Sequence, residues 1–164
     1  SVRAESVARY SYAVPNADAL LAIRDFAPTL LEVGAGGGYW AYLLAKLGVD
    51  VVATDPVVRR ATWSDVRPLA ADLAIDLQGG RRFDALMLCW PGYNLAWALD
   101  ALDRFRGDKV VYVGEWRGCT ADARFHDRLE HRWRVAGKVE IPRWRLPARE
   151  FARLKDCVYL LERA

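Results

Sequence analysis

The chain reads as an α/β protein, a mostly parallel sheet with helices packed between its strands. Three observations predict this. A short apolar run, Leu30–Val33, meets four glycines among five residues (Gly34, Gly36, Gly37 and Gly38) and then a helical pattern with Trp40, Leu43, Leu44 and Leu47 at i, i+3, i+4 and i+7. A second apolar run, Val49–Thr54, follows at once and ends in Asp55. Further on, Phe83–Trp90 and Lys109–Gly114 are apolar runs of strand length, each set off by glycine or proline, as strands covered on both faces are.

Taken in order, Ser1–Arg9 is mixed and polar and is expected to form a loose helix or arm. Tyr10–Pro15 leads into a helix with Asn16 as N-cap, Asp18 in its first turn, and an apolar side of Leu20, Ile23 and Ala27 before Pro28 stops it. Leu30–Val33 is the first strand. The glycines that follow precede a helix, a layout that aims bare backbone N–H groups at a negatively charged ligand group. Gly48 stands where a helix takes its left-handed closing residue. Asp55 lies 19 residues past Gly36 (55 − 36), a spacing that suits a carboxylate at the tip of the next parallel strand accepting both hydrogen bonds of a ribose diol.

Glu32-x-Gly34-x-Gly36-x-Gly38 followed by Asp55 resembles the first two motifs of class I S-adenosylmethionine (SAM)-dependent methyltransferases. A nicotinamide-dinucleotide site fits less well: counted from Gly34 it requires Gly or Ala at position 39, which is Tyr39, and the alternative frame Gly36-x-Gly38-x-x-Ala41 begins two residues late. The resemblance implies a three-layer Rossmann-like fold with a seven-stranded sheet in the order 3-2-1-4-5-7-6 and an antiparallel last strand. It implies bound SAM, held by Glu32, Gly34, Ala35, Gly36, Gly38, Asp55 and Pro56. It also implies that the segment before the first strand lies across the mouth of the site, so that Tyr10 and Tyr12 line it.

After Asp55 the family pattern thins. Pro56–Trp63 is a basic loop or short helix, and Trp63–Arg67 is the candidate third strand. Where relatives carry an acid for the adenine amino group this chain has Leu69-Ala70-Ala71-Asp72, which makes Asp72 the candidate; Ala71–Gln78 reads as a short helix closed by Gly79-Gly80. Phe83–Trp90 is the fourth strand. Its end, Cys89-Trp90-Pro91-Gly92-Tyr93-Asn94, falls where the family's fourth motif sits beside the transferable methyl group. It only partly resembles the Asn/Asp-Pro-Pro-Tyr of amide and nucleobase N-methyltransferases, because Trp90 cannot accept an amide hydrogen bond. Trp90 is therefore read as a wall of the site, with Tyr93 and Asn94 on the substrate side.

Leu95, Ala98, Leu99 and Leu102 predict a helix capped by Asn94 and stopped at Gly107. Lys109–Gly114 is the fifth strand. Ligands of open α/β sheets sit outside the carboxyl ends of strands, so Glu115 is the first candidate for general base or substrate anchor, with Tyr12 the second and Trp116 beside the substrate. Thr120 is expected to cap a helix carrying Phe125 and Leu129, with His126 a packed or surface histidine. Arg134–Ile141 and Cys157–Leu161 look like the family's closing antiparallel pair. Pro142–Pro147 is too proline-rich for regular structure and is read as a lid, and Arg143, Trp144, Arg145 and Arg149 form a cationic–aromatic cluster.

The 164 residues predict one domain, with 1–29 as arm and helix and 30–164 as core. A net charge of +3 is too small to point to nucleic acid. Three cysteines, an odd number without metal-ligand spacing, predict reduced thiols and no metal site. No apolar stretch is long enough to span a membrane, the first residues are not a signal peptide, and a cytoplasmic protein is expected. The chain opens on Ser1, so residues upstream are not excluded. The function expected is methyl transfer from SAM to a small molecule in bacterial secondary metabolism. The alternative is the same fold turned to a non-methylating displacement or to a non-catalytic partner role, with a homodimer or partner subunit completing the pocket.

Overall fold

The computed structural model describes residues 2–77, 83–144 and 155–164. α1 (Val2–Arg9) buries no residue and lies on the surface as an arm. α2 (Ala17–Phe26) starts at Asn16, whose side chain accepts from the Ala19 N–H at 2.9 Å while its amide donates to the Glu140 carbonyl at 3.2 Å. One side chain therefore caps the helix and ties it to a distant strand.

β1 (Thr29–Val33) is an interior strand of the sheet. It pairs in parallel with β2 (Asp50–Asp55) on one side and β4 (Ala85–Cys89) on the other. β3 (Val66–Pro68) extends the sheet beyond β2, and β5 (Lys109–Gly114) lies in parallel beyond β4. β7 (Cys157–Arg163) runs antiparallel between β5 and β6 (Trp133–Glu140), so the order is β3-β2-β1-β4-β5-β7-β6, as expected. The order reverses between β1 and β4, and the carboxyl ends of those two strands form the crevice in which open sheets of this kind bind ligands.

Alternation along the strands divides the core in two. Leu30, Met87, Val111 and Val113 face α2 and α3 (Tyr39–Lys46), where they meet Ile23, Trp40 and Leu44. Leu31, Val33, Leu86, Leu88 and Tyr112 face the other way, toward α4 (Ala71–Leu77), α5 (Trp97–Arg104) and α6 (Ala123–Arg132), meeting Ala74, Leu102, Phe125 and Leu129. Each fully buried Leu or Phe contributes roughly 1.5–3 kcal/mol to this packing. Glu32 shares the Leu30 face and is 1 % exposed, a carboxyl set into an apolar layer.

Three expectations need correction. The third strand has only three residues, because Trp63 donates its backbone N–H to the Gly37 carbonyl at 2.8 Å and so belongs to the glycine loop rather than to the sheet. Asn94 does not cap α5: it sits in a left-handed turn (φ 56) and gives its N–H to the Ala121 carbonyl, and the helix starts at Trp97 with no side-chain cap. α6 is capped by Asp122, which accepts from the Phe125 N–H at 2.9 Å, and not by Thr120, whose hydroxyl is engaged by Tyr112 and the Glu115 backbone. The glycines 79 and 80, the second half of the expected lid, and Arg145 and Arg149 lie outside the described residues. Among the described residues, no helix is long and apolar enough to cross a membrane.

Candidate functional site

A cavity of about 1000 Å³ opens at the carboxyl ends of β1, β2 and β4. Its floor is the glycine loop. Gly34 has φ +68, and a Cβ there would fall 2.5 Å from the Trp97 indole, so the first glycine is required both by the turn and by the ring laid against it. Gly38 is the N-cap of α3 with φ +73, and a Cβ would collide with the Ser64 hydroxyl.

The loop differs from the bare cradle that the sequence predicts. The Ala35 N–H donates to the Thr54 carbonyl, the Gly36 N–H to Asp55 Oδ2 at 2.9 Å, and the Gly38 N–H to the Ala35 carbonyl. Those three amides are committed within the protein. The positive group at the loop is a side chain instead. The Arg59 guanidinium lies over Gly36 and Gly37, within 3.4 and 3.6 Å of where their Cβ atoms would be, and donates to the Ala8 carbonyl of α1.

Asp55 lines the cavity, with Oδ2 on the Gly36 N–H and Oδ1 on the Val57 N–H, both at 2.9 Å. Each oxygen keeps a lone-pair direction for a second donor. Glu32 lines it too, and its Oε2 has no hydrogen-bond partner among the described residues. Burial, with the Asp55 charge second, pushes its carboxyl up from the usual 4.5 to about 8. Cys89 beside it is pushed well above the usual thiol range by burial and by Glu32, so it stays a thiol.

The roof is aromatic. Three indole N–H groups from separate parts of the chain hold one strap: Trp63 donates to the Arg9 carbonyl at 2.8 Å, Trp144 to Ser11 at 2.7 Å and Trp40 to Ala13 at 3.2 Å. Alternate carbonyls are thereby fastened. Between them Tyr10 stacks on Trp63 and Trp144 at 5.6 and 5.7 Å, and Tyr12 stacks on Trp90 at 4.8 Å. Both tyrosines line the cavity, as do Ala35, Pro56, Asp72, Trp90 and Tyr93.

Gly38, Asn94, Glu115 and Trp116 do not line it. Gly38 is turned into the start of α3. Glu115 curls over its own turn, accepting from the Cys119 N–H at 3.3 Å and packing against Gly118. Trp116 points to α6, donating to Glu130 at 3.1 Å and packing on Tyr159. His126 is buried, its Nε2 2.8 Å from the Thr120 carbonyl and its Nδ1 accepting from the Arg117 N–H, the packed histidine expected. Sequence reasoning missed Trp97, Arg59, Tyr39 and the Asp100–Arg106 end of the cavity. The one signal for Arg59 is the basic loop directly after Asp55. Trp97 had none, because its helix starts later than its apolar spacing indicates. Among the described residues, no group of His, Cys, Asp and Glu could hold a metal ion.

No protein-family profile matches the sequence. A protein-L-isoaspartate O-methyltransferase of Methylorubrum extorquens is 34% identical over 115 residues, 63% of this chain and 50% of the relative, so the chain spans half the length of the curated relative it matches. Among solved structures, it is similar to the Burkholderia thailandensis 1,6-didemethyltoxoflavin-N1-methyltransferase with bound S-adenosylhomocysteine (SAH), at TM-score 0.60 and 18% identity over 90% of this chain and 77% of the other. It is also similar to an O-methyltransferase from Bacillus cereus in complex with SAH, at TM-score 0.58 and 16% identity over 98% and 87%. A putative tRNA (m1A22) methyltransferase from Streptococcus pneumoniae gives TM-score 0.60 at 12% identity over 92% and 71%. With the strand order, the antiparallel β7 and the Glu32–Asp55 motif pair in hand, these likenesses agree: the chain has the fold of the class I SAM-dependent methyltransferases.

Proposed function

We propose that this chain binds SAM and transfers its methyl group to a small molecule, as a cytoplasmic enzyme of bacterial secondary metabolism. The observation that carries the reading is the orphaned Oε2 of Glu32, a fully buried carboxyl facing the cavity with Asp55 close by. An unpartnered buried carboxyl oxygen is costly, and a ligand ammonium would satisfy it. The cavity offers a complete set for the cofactor: Glu32 for the ammonium, Arg59 for the carboxylate, Asp55 for the ribose diol and Asp72 for the adenine amino group. Pro56 and Trp97 form apolar walls around them.

SAM supplies an electrophilic methyl group on a sulfonium. The transfer disperses charge, so the protein acts by holding the reactants in line and keeping water out. The strap of Arg9–Ala13 and its tyrosines does the excluding. Glu115 is turned away and Cys89 is held as a thiol, so neither serves as the base near Trp90, which suits an acceptor that carries its own nucleophilic lone pair. The modest net charge supports a small molecule over nucleic acid as the acceptor.

Titration calorimetry with SAM and SAH tests the reading. Binding of both, weakened at least tenfold by Glu32→Gln or Asp55→Ala, supports it, and absence of binding overturns it. A second reading, the fold turned to a non-methylating displacement or to a partner role beside another subunit, is favoured by Trp97 lying against Gly34 within the cradle. Binding of neither ligand would favour it.

A further inference from the structure

Trp90 is held in a conformation that its side chain disfavours. Its φ is +52, and a bulky L residue stays in the left-handed region only where the surroundings over-determine it. Three contacts do so. Its N–H donates to the Val113 carbonyl of β5 at 2.7 Å, its indole Nε1–H donates to Asp156 Oδ1 at 3.2 Å, and its ring lies parallel to Tyr12 at 4.8 Å and 8°. Asp156 is 6 % exposed and stands directly before β7, so the carboxylate on the indole is built into the sheet.

A tryptophan that merely fills a core needs neither a left-handed backbone nor a buried acid on its nitrogen. These contacts fix the plane of a ring. The cover on that plane is Tyr12, 48 % exposed and carried on the strap, with the Arg3 guanidinium 6.0 Å from its ring centroid. Among the described residues, the cations that line the cavity lie elsewhere, Arg59 over the glycine loop and Arg104 and Arg106 at the end of α5.

We propose that Trp90 is a stacking plate for a flat aromatic acceptor, which takes the ring face that Tyr12 covers, and that Asp156 is the positioning residue that holds the plate through its indole nitrogen. The word acceptor rests on the methyl-transfer reading; the preference for a flat ring does not. Aromatic stacking discriminates by geometry, since offset parallel rings gain beyond the area they bury. A saturated ring of equal size lacks that gain.

Calorimetry with 2-naphthol and with decahydro-2-naphthol, each with and without saturating SAH, tests this. The wild-type protein is expected to bind the flat probe at least fivefold more tightly. Trp90→Leu and Asp156→Ala should lose that preference, while Asp156→Asn keeps it, because an amide oxygen still accepts the indole N–H. Tyr12→Ala, at a half-exposed site where folding is not at risk, should tighten the flat probe at least threefold by uncovering the plate. Equal binding of the two probes by the wild type, an undiminished preference in Trp90→Leu, or no tightening in Tyr12→Ala would each overturn the proposal. Failure of SAH to bind would overturn the methyl-transfer reading alone, because the ring preference is read in its absence as well.

Discussion

The Asp55 carboxylate, bound to the backbone of the glycine loop, adds its charge to the burial that keeps the Glu32 carboxyl protonated at neutral pH. Glu32 is raised from the usual 4.5 to about 8, so between those values the folded chain holds a proton that the unfolded chain has released. This group's contribution to stability is therefore fully present below about 4.5 and declines as pH rises toward 8.

A ligand ammonium reverses that preference and favours the charged carboxylate. SAH binding at pH 7 is expected to release close to one proton, and its affinity should rise with pH between 6 and 8 by up to about tenfold per unit. Calorimetry in buffers of different ionisation enthalpy measures the release. Glu32→Gln should flatten the profile, and no proton release from the wild type would remove Glu32 from the ammonium site.

Asp55 has two tasks that can be separated. Asp55→Asn keeps one oxygen for a backbone N–H and is expected to cost less than about 1.5 kcal/mol of stability, while Asp55→Ala leaves the Gly36 and Val57 N–H groups without their partner and should cost roughly 1–3 kcal/mol. Both should weaken SAH binding at least tenfold. Urea denaturation and calorimetry read the two effects independently.

Gly38→Ala should be among the most damaging substitutions in the loop. The left-handed backbone costs about 1–2 kcal/mol for an L residue, and the new methyl group meets Ser64 and the Val66 side chain. Partial recovery in the double variant Gly38→Ala/Ser64→Gly would separate the collision from the backbone term. An equally large loss in both would assign the effect to the backbone and the Val66 contact rather than to Ser64.

Trp63→Phe keeps a ring against Tyr10 but removes the N–H that holds the Arg9 carbonyl. The loss should be about 1 kcal/mol and local to the strap. Amide exchange at residues 2–13 is expected to accelerate, with the exchange of β1 and β4 unchanged. Uniform acceleration throughout the sheet would show instead that the clamp supports the global fold.

The sheet was legible because its information is local: Leu30–Val33, Val49–Thr54 and Lys109–Gly114 are apolar runs of strand length, Gly48 and Pro28 mark helix boundaries through backbone chemistry, and Asn16 marks one through a side-chain cap three residues away. What sequence reasoning could not reach depends on distant partners. The committed amides of the glycine loop require the positions of Thr54 and Asp55. The turn of Glu115 away from the cavity requires the Gly118 backbone beneath it, and the tryptophan clamp joins carbonyls 9, 11 and 13 to indoles from three other segments. Helix starts went astray at Asn94 and Thr120 for one reason: a polar residue before an apolar pattern is a cap only if its side chain is free, and both residues were used in turns.

The insertion of β7 between β5 and β6 imposes a timetable on synthesis. Among the described residues β6 pairs only with β7, so it has no template when it leaves the ribosome and must wait for residues 157–163. Until then β5 exposes a fully apolar edge, Val110–Val113, which a stalled or truncated nascent chain would offer to any passing strand. Chaperone dependence of this chain should therefore peak in the interval between the emergence of β5 and that of β7, after five parallel strands have formed and before the antiparallel wedge closes the sheet.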